Sequence, residues 1–145
     1  SRRDAVKLVA LAAASPWVAS LPLAAQEAAL AIRGYDPVAY FNVGKPMKGV
    51  PEFAHDWDEQ RYHFSSAQHR DLFKADPLRY APQFANFCAM SLSRGKVVEA
   101  NPENWLVADG KLYIFGLPIG PGLFQQALAE NEAKANGNRG LIQKK

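Results

Sequence analysis

The segment that most restricts this chain is Trp105-Leu106-Val107-Ala108, then Asp109-Gly110, then Lys111-Leu112-Tyr113-Ile114-Phe115. Asp-Gly supplies the two left-handed residues that a type I′ turn demands, and the flanking runs are rich in side chains that suit a pleated surface. A β-hairpin is therefore predicted here. A second hairpin is expected around Asp58-Glu59-Gln60, from runs at 52–57 and 61–64. In the latter run Tyr62 and Phe64 share one face, while Arg61 and His63 take the other.

Helical signals surround these strands. In Gly34-Tyr35-Asp36-Pro37-Val38-Ala39-Tyr40-Phe41, Asp36 reads as an N-cap and Pro37 as the first residue of a helical turn. Ser65, three residues before Gln68, makes a capping box for a helix running to Ala75 and halted by Asp76-Pro77. His69, Leu72 and Phe73 share one face of that helix, so His69 suits either a hydrogen-bonded core position or a ligand. A last helix is expected over 123–135, with Leu123, Phe124, Ala127 and Leu128 as its buried stripe. Residues 27–30 read as a connector, and 136–145 as a loose polar tail.

The first 26 residues read as an address. Arg2-Arg3 stands directly before an apolar run, 8–25, interrupted only by Ser15, Pro16, Ser20 and Pro22. This is the pattern of bacterial twin-arginine export signals. The run is apolar on every side, unlike an amphipathic core helix, and is long enough to sit in a bilayer. It serves either as a cleaved signal or as a retained membrane anchor. Two cleavage points offer themselves, Leu23-Ala24-Ala25 and the better-matching but later Ala29-Leu30-Ala31. Either way the remaining chain is expected in the periplasm, with Arg2, Arg3 and Lys7 on the cytoplasmic side of a retained anchor.

Composition excludes several functions. With 145 residues and 48% hydrophobic content the chain has room for one folded domain. The net charge is +3, but Arg2, Arg3, Lys7 and Asp4 supply +2 of it, leaving 14 bases against 13 acids beyond residue 26. Neither a basic stripe nor an aromatic-basic interleave is present, so nucleic acid is not an expected partner. The single cysteine, Cys88, makes no internal disulfide.

With these pieces in place, residues 34–115 resemble the YHS-domain family. The motifs carrying the likeness are Gly34-Tyr35-Asp36-Pro37-Val38-Ala39-Tyr40-Phe41, Tyr62-His63-Phe64-Ser65-Ser66 with Phe73 and Ala75-Asp76-Pro77, Arg79-Tyr80-Ala81-Pro82-Gln83-Phe84, Phe87-Cys88-Ala89, and Asp109-Gly110-Lys111-Leu112-Tyr113. The resemblance implies an α+β fold, a small single domain of short antiparallel hairpins and short helices spanning 31–135, preceded by the N-terminal apolar helix. It also implies heavy-metal binding, often beside copper transport. The family carries that role on cysteines, one after Asp-Pro-Val and two around a helix start. Those positions are Ala39, Ser65 and His69 in this sequence.

Two functions follow as expectations. One is an exported binding module for a soft metal such as copper, for which Cys88, Met90, His63 and His69 are the candidate ligands, with His55 in reserve. The other is an accessory subunit of a larger membrane complex, held by the N-terminal helix, in which the metal site is lost. Catalysis is not expected. One cysteine among three histidines is a weak nucleophile signal, Glu52, Asp56, Asp58 and Glu59 read as a solvated hairpin tip, and Gly116, Gly120 and Gly122 lack the spacing of a phosphate loop.

Overall fold

The computed structural model describes residues 28–143. The arginine-led leader, 1–26, lies outside them, together with the signal and anchor readings attached to it. No helix among the described residues is long and apolar enough to cross a membrane.

Short strands and helices make a small α+β fold. In chain order they are β1 (Ala29–Leu30), a 3-10 turn (Ala31–Gly34), α1 (Ala39–Asn42), β2 (Val50–Trp57), β3 (Gln60–Phe64), α2 (Ala67–Ala75), α3 (Pro77–Tyr80), α4 (Ala89–Ser93), β4 (Asn101–Ala108), β5 (Lys111–Phe115), α5 (Gly120–Gln126), α6 (Leu128–Gly137) and a closing 3-10 turn (Arg139–Leu141). One sheet has the order β1-β3-β2, and the other is the β4-β5 hairpin.

That hairpin forms as its turn chemistry requires, with Asp109 and Gly110 at φ 53° and 73° and Ala108 paired to Lys111. Its role follows from its composition. Leu112 and Ile114 enter one core with Tyr40, Tyr62, Phe64 and Phe73, whereas Tyr113 and Phe115 enter another with Phe84, Leu92 and Phe124. Strand β4 alternates in the same way, Trp105 and Val107 facing the first core and Leu106 and Ala108 the second. The ribbon is thus a wall between two cores, which explains an unbroken apolar run where a half-exposed strand would alternate.

The second hairpin also forms, but its turn is tighter than expected. Gln60 belongs to β3 and pairs with Trp57, leaving Asp58 and Glu59 as the turn, at φ 52° and 66°. Phe73 from α2 packs beneath this sheet, its ring centroid 4.7 Å from Tyr62, 5.2 Å from Phe64 and 5.9 Å from Trp57. Burial of a ring of this size stabilises by roughly 2–3 kcal/mol. Gly49 allows the chain entering β2 to cross the sheet closely. A Cβ there would lie 2.4 Å from the His63 carbonyl carbon, and the Gly49 amide donates to the Gly34 carbonyl at 2.8 Å.

Four local expectations are corrected. The connector at 27–30 contains strand β1, which runs parallel to β3 with Ala29 opposite Gln60 and Leu30 opposite Arg61. A two-residue strand has no periodicity of its own, and its partner lies far along the chain. The N-cap of α2 is Ser66, whose hydroxyl accepts from the His69 amide at 3.1 Å; Ser65 is diverted to Asp36. The last helix is two helices, broken at Ala127 (φ −140°, ψ 61°), which is exposed and not part of a buried stripe. Asn131 compensates for the break by donating its side-chain amide to the carbonyls of Phe124 (3.1 Å) and Leu123 (3.3 Å). Those are carbonyls that the end of α5 would otherwise leave without partners.

The tail, finally, is docked as far as residue 143. Asn138 donates to the Leu92 carbonyl at 2.8 Å, the Arg139 guanidinium sits 4.7 Å from the centre of the Phe84 ring, and Ile142 packs on the second core. The start of the domain is equally tied in. Ala31 and Ile32 are buried, and the Ile32 amide donates to Asn86 Oδ1 at 2.6 Å. Strand β1 and the buried residues that follow it are thus integral to the fold.

Candidate functional site

Asp36 is the most heavily engaged polar side chain of the domain, and it is completely buried. It sits between the first 3-10 turn and α1. Its Oδ1 accepts from the amides of Val38 (2.9 Å) and Ala39 (3.3 Å), which fixes the turn at Pro37-Val38 leading into α1; the helix itself starts two residues later than expected, at Ala39, with Val38 and not Asp36 at its N-cap. Its Oδ2 accepts from the Ser65 amide (2.9 Å), the Ser65 hydroxyl (2.7 Å) and His69 Nδ1 (2.6 Å). Burying a carboxylate is costly unless its lone pairs are filled, and here both oxygens are filled from within the chain.

Placement follows from the elements. Ser65 ends the turn out of β3, and His69 lies in the first turn of α2, held there by the Ser66 cap. Ala39 opens α1, with its side chain buried. The three positions at which the family resemblance would put cysteines, Ala39, Ser65 and His69, therefore all hydrogen-bond to the one carboxylate of Asp36. Sequence reasoning read Asp36 only as a cap. The signal for its larger role was the Asp-Pro pair, which says nothing of a serine and a histidine contributed from beyond β3.

The trio is not a nucleophile arrangement. An activated serine donates to the imidazole nitrogen opposite the one that the carboxylate holds. Here the Ser65 hydroxyl and Asp36 meet the same nitrogen, Nδ1, with the hydroxyl 3.4 Å away. A carboxylate oxygen accepts and does not donate, so Nδ1 carries the proton and Nε2 is the atom left for other partners.

The other candidate ligands lie apart from this cluster. Cys88 is buried in the second core and caps α4, its Sγ accepting from the Ser91 amide at 3.4 Å. Met90 packs on that same core, and its carbonyl accepts from the Ser93 hydroxyl at 2.6 Å. His63 lies on β3 beside Gly34, lining a shallow cleft of ≈ 520 Å³ with Pro51, Ala54, His55, Asp56 and Arg61. His55 packs its ring edge-on to Phe73, and burial, then the Lys74 charge, lowers its pKa below the ordinary histidine value. The hairpin acid Asp56 pairs with Arg61 at 2.7 Å, which holds its carboxyl below the usual range.

The fold thus brings Ser65 and His69 together around Asp36 and leaves Cys88 and Met90 around the other core. Among the described residues no group of three or more His, Cys, Asp or Glu side chains is placed to hold a metal ion. Comparison of the chain with protein-family models, with curated proteins and with solved structures finds no match.

Proposed function

We propose that this chain is an exported, non-catalytic YHS-like module that serves as an accessory subunit of a membrane-associated complex, with the family's metal position given over to hydrogen bonding. The observation carrying this reading is the Asp36 network. In place of three soft ligands stand Ala39, whose side chain offers no donor atom, Ser65, whose hydroxyl is given to Asp36, and His69, whose Nδ1 is held by Asp36 so that only Nε2 remains. The carboxylate at their centre is satisfied by five hydrogen bonds from within the chain. The resource that would have bound metal stabilises the junction of α1, β3 and α2. A domain kept for its surface has no need of ligands, and the apolar leader at 1–26 gives such a subunit its route to the membrane.

The competing reading, soft-metal handling through Cys88, Met90, His63 and His69, makes an opposite prediction in one experiment. The purified full-length chain is titrated with Cu(I) against a competing chelator, beside Cys88→Ser and His69→Gln. The accessory reading expects no stoichiometric site and no difference among the three proteins. One equivalent of tightly held Cu(I), lost in either variant, would replace it with the metal reading. Mild detergent extraction of native membranes should in turn yield the chain in a complex of defined size, and its recovery as a free monomer would count against the subunit assignment.

A further inference from the structure

The β4-β5 hairpin is closed at Asp109-Gly110, and its other end opens beyond the pair Asn101 and Phe115. The chain entering β4 and the chain leaving β5 therefore emerge side by side. They touch: a Cβ built at Gly116 would lie 3.5 Å from Val98 Cγ1 and 3.4 Å from the Glu99 carbonyl. From these two loops Val97, Val98, Leu117 and Ile119 project into solvent, 48%, 42%, 66% and 63% exposed. Exposed aliphatic groups concentrated in this way mark a surface that meets an apolar phase or a partner.

Looseness does not account for them. The entering loop is pinned by hydrogen bonds from Lys96 N to the Ser91 carbonyl (2.9 Å), from Cys88 N to the Val98 carbonyl (2.8 Å) and from Ala100 N to the Asn86 carbonyl (2.8 Å). The leaving loop is closed by Gly120 N to the Leu117 carbonyl at 3.0 Å, with Phe115 and Gly120 buried at its two ends and Pro118 and Pro121 limiting its backbone. Folding has fixed these side chains outward.

The charges around them select the occupant. Arg94 and Lys96, both exposed, stand on the same loop as Val97 and Val98, and the neighbouring acid, Glu99, is paired with Arg33 at 3.5 Å. Neither loop carries another acidic residue between 94 and 122 except Glu103 and Asp109, which lie within the hairpin; Glu103 accepts from the Tyr35 hydroxyl at 2.6 Å, and Asp109 is at the far, closed end. Aliphatic tips beside cations that make no ion pair among the described residues match the boundary of an anionic bilayer, with the aliphatic groups among the acyl chains and the cations at the phosphates.

We propose that the loops 94–98 and 116–119 form a docking face that inserts into the surface of an anionic lipid bilayer. The proposal goes beyond the accessory reading and does not depend on it, since a metal-handling domain would use the same face. Full-length protein carrying Ile119→Cys or Leu117→Cys is labelled under native conditions, where Cys88 is buried, with an environment-sensitive fluorophore. Glu52→Cys, an exposed position on β2 in the other sheet, is the reference. Vesicles of phosphatidylcholine with phosphatidylglycerol should blue-shift the probe at 119 and at 117 but not at 52. Vesicles of phosphatidylcholine alone should do much less, and Arg94→Glu with Lys96→Glu should weaken the response about tenfold. An apolar leader alone would bring all three sites near the membrane without this contrast. Equal responses at 119 and 52, insensitivity to charge reversal, or a response that needs membrane proteins in the vesicle would each overturn the proposal.

Discussion

Asp36 Oδ2 and His69 Nδ1 lie 2.6 Å apart across 33 residues of sequence, one side chain wholly buried and the other nearly so. This contact joins the first helical turn of the domain to α2, and Ser65 shares the same carboxylate oxygen. It also identifies the side chain whose loss should be felt most.

Asp36→Ala removes the acceptor that fixes the turn into α1 and leaves the Ser65 and His69 donors without their partner. A loss of about 3–5 kcal/mol in urea unfolding is expected. Asp36→Asn keeps the shape but offers His69 one oxygen at most, and about 1–2 kcal/mol should be lost. Equal costs for the two variants would mean that the site depends on volume and not on hydrogen bonding.

The adjacent serines should separate by role. Ser66→Ala removes the helix cap, and about 1 kcal/mol of stability should go with it, restored in large part by Ser66→Asp. Ser65→Asp places a second acid against Asp36 and should be more damaging than Ser65→Ala. Were Ser65→Asp the better tolerated, the capping assignment would belong to Ser65 after all. Thermal unfolding of the four variants decides this.

The docking of α6 should depend on pH. Glu132 accepts from Lys111 at 2.8 Å and from the Tyr113 hydroxyl at 2.5 Å, and these two donors hold its carboxyl below its ordinary value of 4.5. A depressed carboxyl pKa contributes stability that is complete above the unfolded value and lost as pH falls through the folded one. Wild type should therefore lose stability on acidification below about pH 4.5 more steeply than Glu132→Gln, which should already be about 1 kcal/mol weaker at neutral pH. Burial, then the bond to Glu132, raises the Tyr113 pKa, so its stabilising effect is present at neutral pH and goes only as pH climbs past the ordinary tyrosine range. Absorbance at the phenolate band should show Tyr113 ionising with base-induced unfolding and not before it.

Truncation after Gly137 should cost about 2–3 kcal/mol, from the Asn138 bond to Leu92, the stacking of Arg139 on Phe84 and the cover that Ile142 gives the second core. A truncated chain with unchanged urea midpoint would return these residues to the status of a loose tail.

Much of this architecture is local chemistry and is readable in the chain. Asp109-Gly110 makes its turn because both residues tolerate left-handed backbone, and the second hairpin forms between its runs with Asp58 and Glu59 forced into the same geometry. The start and stop of α2 follow from a hydroxyl that caps and a proline that cannot continue, although the capping hydroxyl is that of Ser66 and not the expected Ser65. The break at Ala127 was hidden, since no glycine or proline marks it and Asn131 makes it tolerable only once α6 has folded back. Strand β1 was hidden for a related reason, its two residues being a strand only by virtue of the ladder they join.

The sequence by itself settled the two hairpins and the course of α2, because those choices rest on side chains a few residues apart. Only the tertiary structure decided that Asp36, Ser65 and His69 meet, and that Cys88 and Met90 belong to the opposite core. Those outcomes depend on how two hydrophobic clusters assemble around one β-ribbon, and the free energy of that assembly comes from contacts between segments with no proximity in the chain.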